Sequence, residues 1–259
     1  MERKHTLSVI VIARDEADRI RACLGSVKDL ADEIVVIDGG STDATVDICR
    51  EYTPRVFETD RRGDGIQKQR ALEKATCDWV FRIDADERMS PELRQEVREL
   101  LERDTITESA FRVHWATWFF GRYLTRGEAG VGHLNLFRRQ GAWYDEQLRY
   151  AGLHLPDGPL GRLRGRLYHD AWRDLDHLLS KLDDYAYVAA EQQATEGKKG
   201  GPARACLHAI SRFWQAYIVR RGFLDGSRGL ILAILYSQYA FNKYATLWAL
   251  EQPGLRDTG

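Results

Sequence analysis

Residues 33–43, EIVVIDGGSTD, decide the fold. A β-branched run ends on a carboxylate, Asp38. Gly39 and Gly40 then turn the chain, and Ser41, Thr42 and Asp43 are residue types that start helices. A run that is apolar on both faces marks a parallel strand covered by helices on both sides. The flanking sequence repeats the unit. Upstream, residues 7–13 (LSVIVIA) form another continuous apolar run. Asp15 is placed to cap the next helix, where Ile20, Cys23, Leu24 and Val27 recur at helical spacing. Downstream come a helix over 43–52, a short strand at 55–59, a helix over 66–76 and a strand at 79–83. Ser90-Pro91 then starts a helix that runs to about residue 103. This alternation predicts an α/β fold with a doubly wound, mostly parallel sheet that binds ligands at the carboxyl ends of its strands.

Beyond residue 105 the pattern changes. Residues 110–118 and 134–139 read as strands around an aromatic and glycine-rich segment. From Asp174 the chain turns helical, with Leu175, Leu178, Leu179, Leu182, Tyr185 and Val188 on one face. EGKKGGP, residues 196–202, breaks that pattern, and two more helices follow, over about 203–221 and 227–251. The expected organisation is a ligand-binding domain over 1–172 and a helical extension over 173–259.

With 38 basic and 39 acidic residues the net charge is -1, which gives no argument for nucleic-acid binding. The four cysteines lack ligand spacing and read as reduced, mostly buried thiols. The first apolar run is too short for a secretory signal. The longest, residues 229–241, falls short of the roughly 20 residues of a spanning helix. The expectation is a cytoplasmic protein.

The chemistry concentrates in Asp84-Ala85-Asp86-Glu87, directly after the strand WVFRI. In an extended segment positions i and i+2 face one side, so Asp84 and Asp86 would project together at a strand's carboxyl end. Paired hard carboxylates suit Mg²⁺ or Mn²⁺ bridging to a diphosphate, and an acidic helix-capping turn is the alternative. Asp38 ends its strand where a carboxylate accepts hydrogen bonds from a ribose or a base. The dinucleotide-binding alternative fails upstream, because the turn Ala13-Arg14-Asp15-Glu16 has no glycine.

VIVIARDEADRI, VVIDGGSTDAT, the helix start near Lys68 and IDADE, in this order, resemble the amino-terminal half of glycosyltransferase family 2. The resemblance implies a GT-A fold, a UDP-sugar donor and, in many members, transfer with inversion. It implies donor contacts from Arg14, Glu16, Asp38 (to uracil), Lys68 and Asp84, and a metal held at Asp84 and Asp86. GDGIQK, residues 63–68, and RRGFLDG, residues 220–226, resemble the bacterial lipopolysaccharide inner-core β-glucosyltransferases. That subgroup implies a glucosyl donor and a lipid-linked saccharide acceptor at the inner face of the cytoplasmic membrane. It also carries a His-Glu pair that falls here on Tyr150-Ala151. Asp145 and Glu146, just upstream, are the substitute candidates for the catalytic base, with His154 behind them; an exposed acidic turn is the alternative.

His169 matches the subgroup's histidine and would ligate the metal or contact the diphosphate, or else be structural. Trp115, Trp118, Phe119 and Phe120 read mainly as packing, with a sugar-binding surface as the alternative. The last helices interleave arginines with aromatics, which suits a membrane interface or packing against another surface. Transfer to a polyprenyl phosphate, or nucleotide-sugar binding without catalysis, are the competing functions.

Overall fold

The computed structural model describes residues 3–60, 62–145 and 152–252. Glu146, Tyr150 and Ala151 lie outside the described residues. The chain forms two compact units, Met1–Ala116 with Gly132–His169, and Thr117–Val131 with Asp170–Gly259.

The first unit begins with β1 (Leu7–Ala13), α1 (Ile20–Val27), β2 (Glu33–Asp38), α2 (Thr45–Arg50), β3 (Val56–Glu58), α3 (Asp64–Lys74) and β4 (Trp79–Asp84). It continues through β5 (Glu87–Met89), α4 (Pro91–Leu101) and β6 (Ala110–Phe119), whose end belongs to the second unit with β7 (Arg122–Leu124). After these come β8 (Gly132–Arg138), β9 (Trp143–Tyr144), β10 (Leu153–His154) and β11 (Leu160–His169). The sheet order is β3-β2-β1-β4-β8-β6-β11-β5. The first four strands are parallel; β8 pairs antiparallel with β4 and with β6, and β11 antiparallel with β5.

Strand alternation divides the core into two layers. Leu7, Val9, Val11, Ile34 and Val36 pack with Cys23, Leu24, Leu93 and Val97 on one side. Ile10, Val35 and Ile37 pack with Ala71 and Leu72 on the other. Both faces are covered, which is why these strands are unbroken apolar runs. The register sets Ala13 beside Asp38 and Ile12 beside Asp84, so both acids flank the carboxyl end of β1.

Several local expectations change. Asp15 does not cap α1, whose cap position is Arg19 with no side-chain bond. Asp15 adopts a positive φ of 53°, and its carboxylate accepts from the Thr42 N–H at 2.8 Å, tying the first loop to the second. Ser41 and Thr42 do not cap α2 either; Asp43 accepts from the Thr45 N–H at 3.0 Å. Ser90 caps α4 as expected, accepting from the Leu93 N–H. Of the thiols, Cys23 and Cys49 are buried and Cys206 is exposed.

The second unit holds α5 (Leu175–Thr195), α6 (Pro202–Trp214), a π-helical turn (Gln215–Val219), a 3₁₀ turn (Gly222–Asp225) and α7 (Gly226–Leu250), which packs against both α5 and α6. Residues 117–131, read from sequence as part of the first domain, cluster here, because Phe119, Leu124 and Ala129 join Leu178, Leu182 and Leu232. The buried stripe of α5 is Leu178, Leu182, Ala186 and Ala190, while Leu175, Leu179 and Tyr185 are exposed. Leu178 and Leu182 share a core cluster with Leu232 of α7, and the stripe continues through the small Ala186 and Ala190.

Candidate active site

The site is built at the corner between β4 and β5. Asp84 closes β4, Ala85 and Asp86 make a turn, and Glu87 opens β5. Asp84 and Asp86 therefore do not share the face of one strand; the turn brings them together. Glu87, absent from the expected site, organises the corner. It is fully buried, one carboxyl oxygen accepts from the Asp84 N–H at 2.9 Å, and the other accepts from the Trp115 indole N–H. Burial and the neighbouring Asp84 charge push its pKa up to about 7.

β11 runs antiparallel to β5 with His169 opposite Glu87. His169 Nε2 then lies 3.6 Å from Asp86 Oδ2, with both side chains about one-seventh exposed. Asp86 is thus largely enclosed rather than solvent-facing. Burial works against charge on both groups, yet their mutual contact raises the His169 pKa and lowers that of Asp86. β8, β6 and β11 are adjacent, so the Trp115 ring sits between His133 and His169, with centroids 4.2 Å and 4.4 Å away. Trp115 is therefore part of the site, not packing alone. Phe119 is buried in the second unit, where Trp118 and Phe120 are exposed.

Arg82, also absent from the expected site, is nearly buried and pairs with Asp84 at 3.0 Å. Burial opposes the Asp84 charge, but Arg82, helped by Lys68, His169 and His133, outweighs it and brings the pKa to about 2. His133 responds oppositely: burial, then Arg82, take it down to about 4, so it is neutral near pH 7. Asn135 donates to the Arg82 carbonyl at 2.9 Å. Buried polar atoms without a hydrogen-bond partner gather around these groups: Asn135 Oδ1, Tyr144 OH, His133 Nε2 and His169 Nδ1. Such orphans are rare in protein interiors and mark a site that a ligand or water completes.

Around this corner stand the remaining expected contacts. Asp38 is buried and accepts from the Gly40 and Ser41 N–H groups at 2.9 and 2.8 Å and from the Ser41 hydroxyl. A carboxylate has about four lone-pair sites, so one is left for a ligand. Lys68 lies 3.9 Å from Asp64. Arg14 is more than a third exposed, 3.5 Å from Asp15. Glu16 accepts from Arg19 Nε at 2.7 Å, and Arg19 also reaches Asp86 at 4.0 Å.

Asp145 lies on the two-stranded β9–β10 hairpin, where His154 Nε2 meets its Oδ1 at 2.8 Å. His154 stacks on Trp143 at 3.8 Å with 4° between the rings. The two base candidates among the described residues are thus partners of each other. Among the described residues no group of three or more His, Cys, Asp and Glu side chains is set to hold a metal ion. Asp84 and Asp86 still fit a hard divalent cation, because such ions take one or two carboxylates and fill their remaining positions with phosphate and water.

Carboxylates gathered at the carboxyl ends of parallel strands define a ligand-binding α/β sheet of the kind that takes nucleotides. The family model Glycosyl transferase family 2 matches residues 8–152, and the chain belongs to that family. It is a glycosyltransferase. It is 31% identical over 254 residues to the lipopolysaccharide core biosynthesis glycosyltransferase LpsC of Rhizobium meliloti (strain 1021), covering 95% of this chain and 93% of that one. It is 27% identical over 251 residues to the uncharacterized glycosyltransferase RT0209 of Rickettsia typhi, covering 93% and 86%. The fold is shared with S. aureus TarS 1-349 in complex with UDP, at 14% identity, a TM-score of 0.50 and 95% and 90% coverage.

Proposed function

We propose that this chain transfers a sugar, glucose in the simplest reading, from UDP to a saccharide of the lipopolysaccharide core, with inversion. The observation that carries the donor half is the convergence of Asp38 and Asp84 on the carboxyl end of β1, with Asp86 and His169 beside them. The acceptor half leans on the full-length similarity to a lipopolysaccharide core enzyme.

In this reading the free lone pair of Asp38 accepts the uracil ring N–H. Arg14 and Glu16 border the same turn. Lys68 brings positive charge toward the diphosphate, and its influence on Asp84 puts it within electrostatic range. Arg82 keeps Asp84 ionised at any physiological pH. Asp86 and Asp84 would hold Mg²⁺ or Mn²⁺, which supplies charge neutralisation for the departing diphosphate. His169 orients Asp86 or reaches the diphosphate itself. Inversion requires a base that takes the acceptor hydroxyl's proton on the side away from the leaving group. Asp145, paired with His154, is the candidate among the described residues, and Glu146 is its neighbour in sequence.

Titration calorimetry of UDP with and without Mn²⁺ tests the donor half. The parent is expected to bind UDP more tightly with Mn²⁺, and Asp86→Ala to lose about tenfold to a hundredfold of that gain. UDP affinity indifferent to Mn²⁺ in both proteins would sink the metal assignment. Asp38→Ala is expected to narrow the preference for UDP over ADP and GDP. Because Asp38 also holds the Gly40–Ser41 turn, its unfolding midpoint must be measured alongside. A parent that binds the three nucleotides equally leaves Asp38 no role in selecting uracil.

A further inference from the structure

The second unit carries an apolar ridge that its own packing leaves open. On α6 and the π-helical turn, Leu207, Ile210, Trp214 and Ile218 follow one another at helical spacing, and all are exposed. Leu207 and Trp214 are 68% and 60% exposed, so the ridge is no partly covered core edge. The inward side of the same helix is small, with Ala205 and Ala216 buried. Burying small residues while exposing the large apolar ones reverses the usual amphipathic arrangement and calls for a covering partner.

Charge identifies the partner. Residues 198–250 contain eight basic residues, Lys198, Lys199, Arg204, Arg212, Arg220, Arg221, Arg228 and Lys243, against a single acid, Asp225. That acid is buried and accepts from the Arg126 N–H at 3.0 Å, so it offsets nothing outside. Arg212 and Arg220 turn inward onto the buried Glu128, at 2.8 and 2.7 Å. Arg204 precedes Leu207 by about one turn and Arg221 follows Ile218 likewise, and both are exposed. The nearby acids lie outside this stretch: Asp176, Asp183, Asp184 and Glu191 on α5, Glu196, which pairs with Lys198 at 2.7 Å, and Glu251, which accepts from the Gly200 N–H. The ridge is therefore an apolar stripe in a cationic field.

We infer that this face of α6 lies on an anionic lipid bilayer, with Leu207, Ile210 and Trp214 in the acyl boundary and Arg204 and Arg221 against lipid phosphates. A second copy of the chain fits worse, because a two-fold contact sets the same cationic patch against itself. Nucleic acid would neutralise the arginines but leaves the aliphatic stripe without reward. Among the described residues no helix is long and apolar enough to cross a membrane, so the contact is one of lying on the surface. The inference goes beyond the transfer reaction and stands without it.

Co-sedimentation of the full chain with vesicles tests it. One set is phosphatidylcholine alone; the other mixes phosphatidylethanolamine and phosphatidylglycerol in equal parts. The parent is expected to bind the anionic set at least about tenfold more tightly, and to weaken as salt rises. Arg204→Gln with Arg221→Gln is expected to lose about tenfold on anionic vesicles. Leu207→Ser with Ile210→Ser and Trp214→Ser is expected to lose more than about tenfold on both sets. These positions are exposed, so thermal unfolding is expected to match the parent; if the serine variant unfolds, the arginine variant decides. A parent that ignores both vesicle sets, or variants that bind like the parent, would overturn the inference. So would light scattering that shows a dimer which the serine variant turns into monomer. UDP calorimetry on the same proteins separates the two readings: vesicle binding without UDP binding breaks the donor assignment alone, and the reverse breaks the docking alone.

Discussion

Two acid–histidine pairs in the first unit invite comparison. Asp145 and His154 meet at 2.8 Å with side chains 30% and 46% exposed, while Asp86 and His169 stand 3.6 Å apart with 14% and 15% exposed. The shorter contact is the less consequential electrostatically. Water reaches Asp145 and His154 and screens the charge they present to their surroundings. Around Asp86 and His169 the solvent is replaced by Arg82, Glu87, Trp115 and His133, and each carboxylate shifts in its own direction: Asp84 to about 2, Glu87 to about 7. Distance between partners says less about a site than what else the partners face. The buried pair suits work that needs fixed charge, such as holding a metal and a diphosphate. The exposed pair suits a proton acceptor that an incoming hydroxyl must reach.

The strongest way to break that division of labour is to remove one member of each pair. Asp86→Ala is expected to lose both metal-dependent UDP binding and transfer. Asp145→Asn and His154→Gln are expected to slow transfer by about 10²–10⁴-fold and leave UDP binding intact. Single-turnover transfer assays beside calorimetry read both quantities. If Asp145→Asn and His154→Gln each transfer within about threefold of the parent, the hairpin does not supply the base, and Glu146→Gln becomes the remaining test.

A second test sharpens the claim that the corner is controlled by burial. Glu87 is fully buried and its pKa rises from 4.5 to about 7, so the folded chain keeps this proton to higher pH than the unfolded chain does. Its contribution to stability is complete below about pH 4.5 and is lost as pH climbs through about 7, a change of about 3 kcal/mol at ~1.4 kcal/mol per pKa unit. Glu87→Gln cannot ionise and is expected to flatten that slope while it retains an acceptor for one of the two N–H donors. Urea unfolding at pH 5, 6, 7 and 8 without metal gives the comparison. Parallel slopes in parent and variant would show that Glu87 titrates alike in both states.

The division also explains what could be read from sequence. β1 through α4 were legible because strands buried on both faces are apolar runs, and Ser90-Pro91 announces its helix. The acids at strand ends were legible by position. β11 was not, apart from its last residues. Its interior Gly161 and Gly165 sit where an added Cβ would come within 2.3 Å of Phe111 and of the Leu93 backbone. Two of its closely packed positions are thus glycines, which leave no apolar signal. Glu87, Trp115, His133 and His169 are scattered along the chain and meet only through strand adjacency. Two signals were nonetheless present. Arg82 is a charge inside a mostly apolar strand, and the polar His133 and Asn135 interrupt the apolar run of β8, where the pairing with β6 shifts register at Asn135.

The smallest expected effect comes from the ring beneath His154. Both pairs include a tryptophan: Trp143 stacks on His154 at 3.8 Å, and Trp115 lies 4.4 Å from His169. Trp143 is 48% exposed on a two-stranded hairpin, so Trp143→Ala gives up a stacked pair and little buried area. Such a pair contributes about 1 kcal/mol. Trp115 packs against the main core, donates to Glu87 and touches two histidines, so Trp115→Ala leaves a cavity and an unpaired carboxyl oxygen. A loss of about 3 kcal/mol is expected there. Urea midpoints at pH 7 order the two variants. Transfer by Trp143→Ala is expected to stay within about tenfold of the parent, because Asp145 still holds His154 in place. If Trp143→Ala destabilises the chain as much as Trp115→Ala does, the hairpin is part of the packed core. The exposed pair then owes its geometry to burial after all, and the contrast between the two pairs fails.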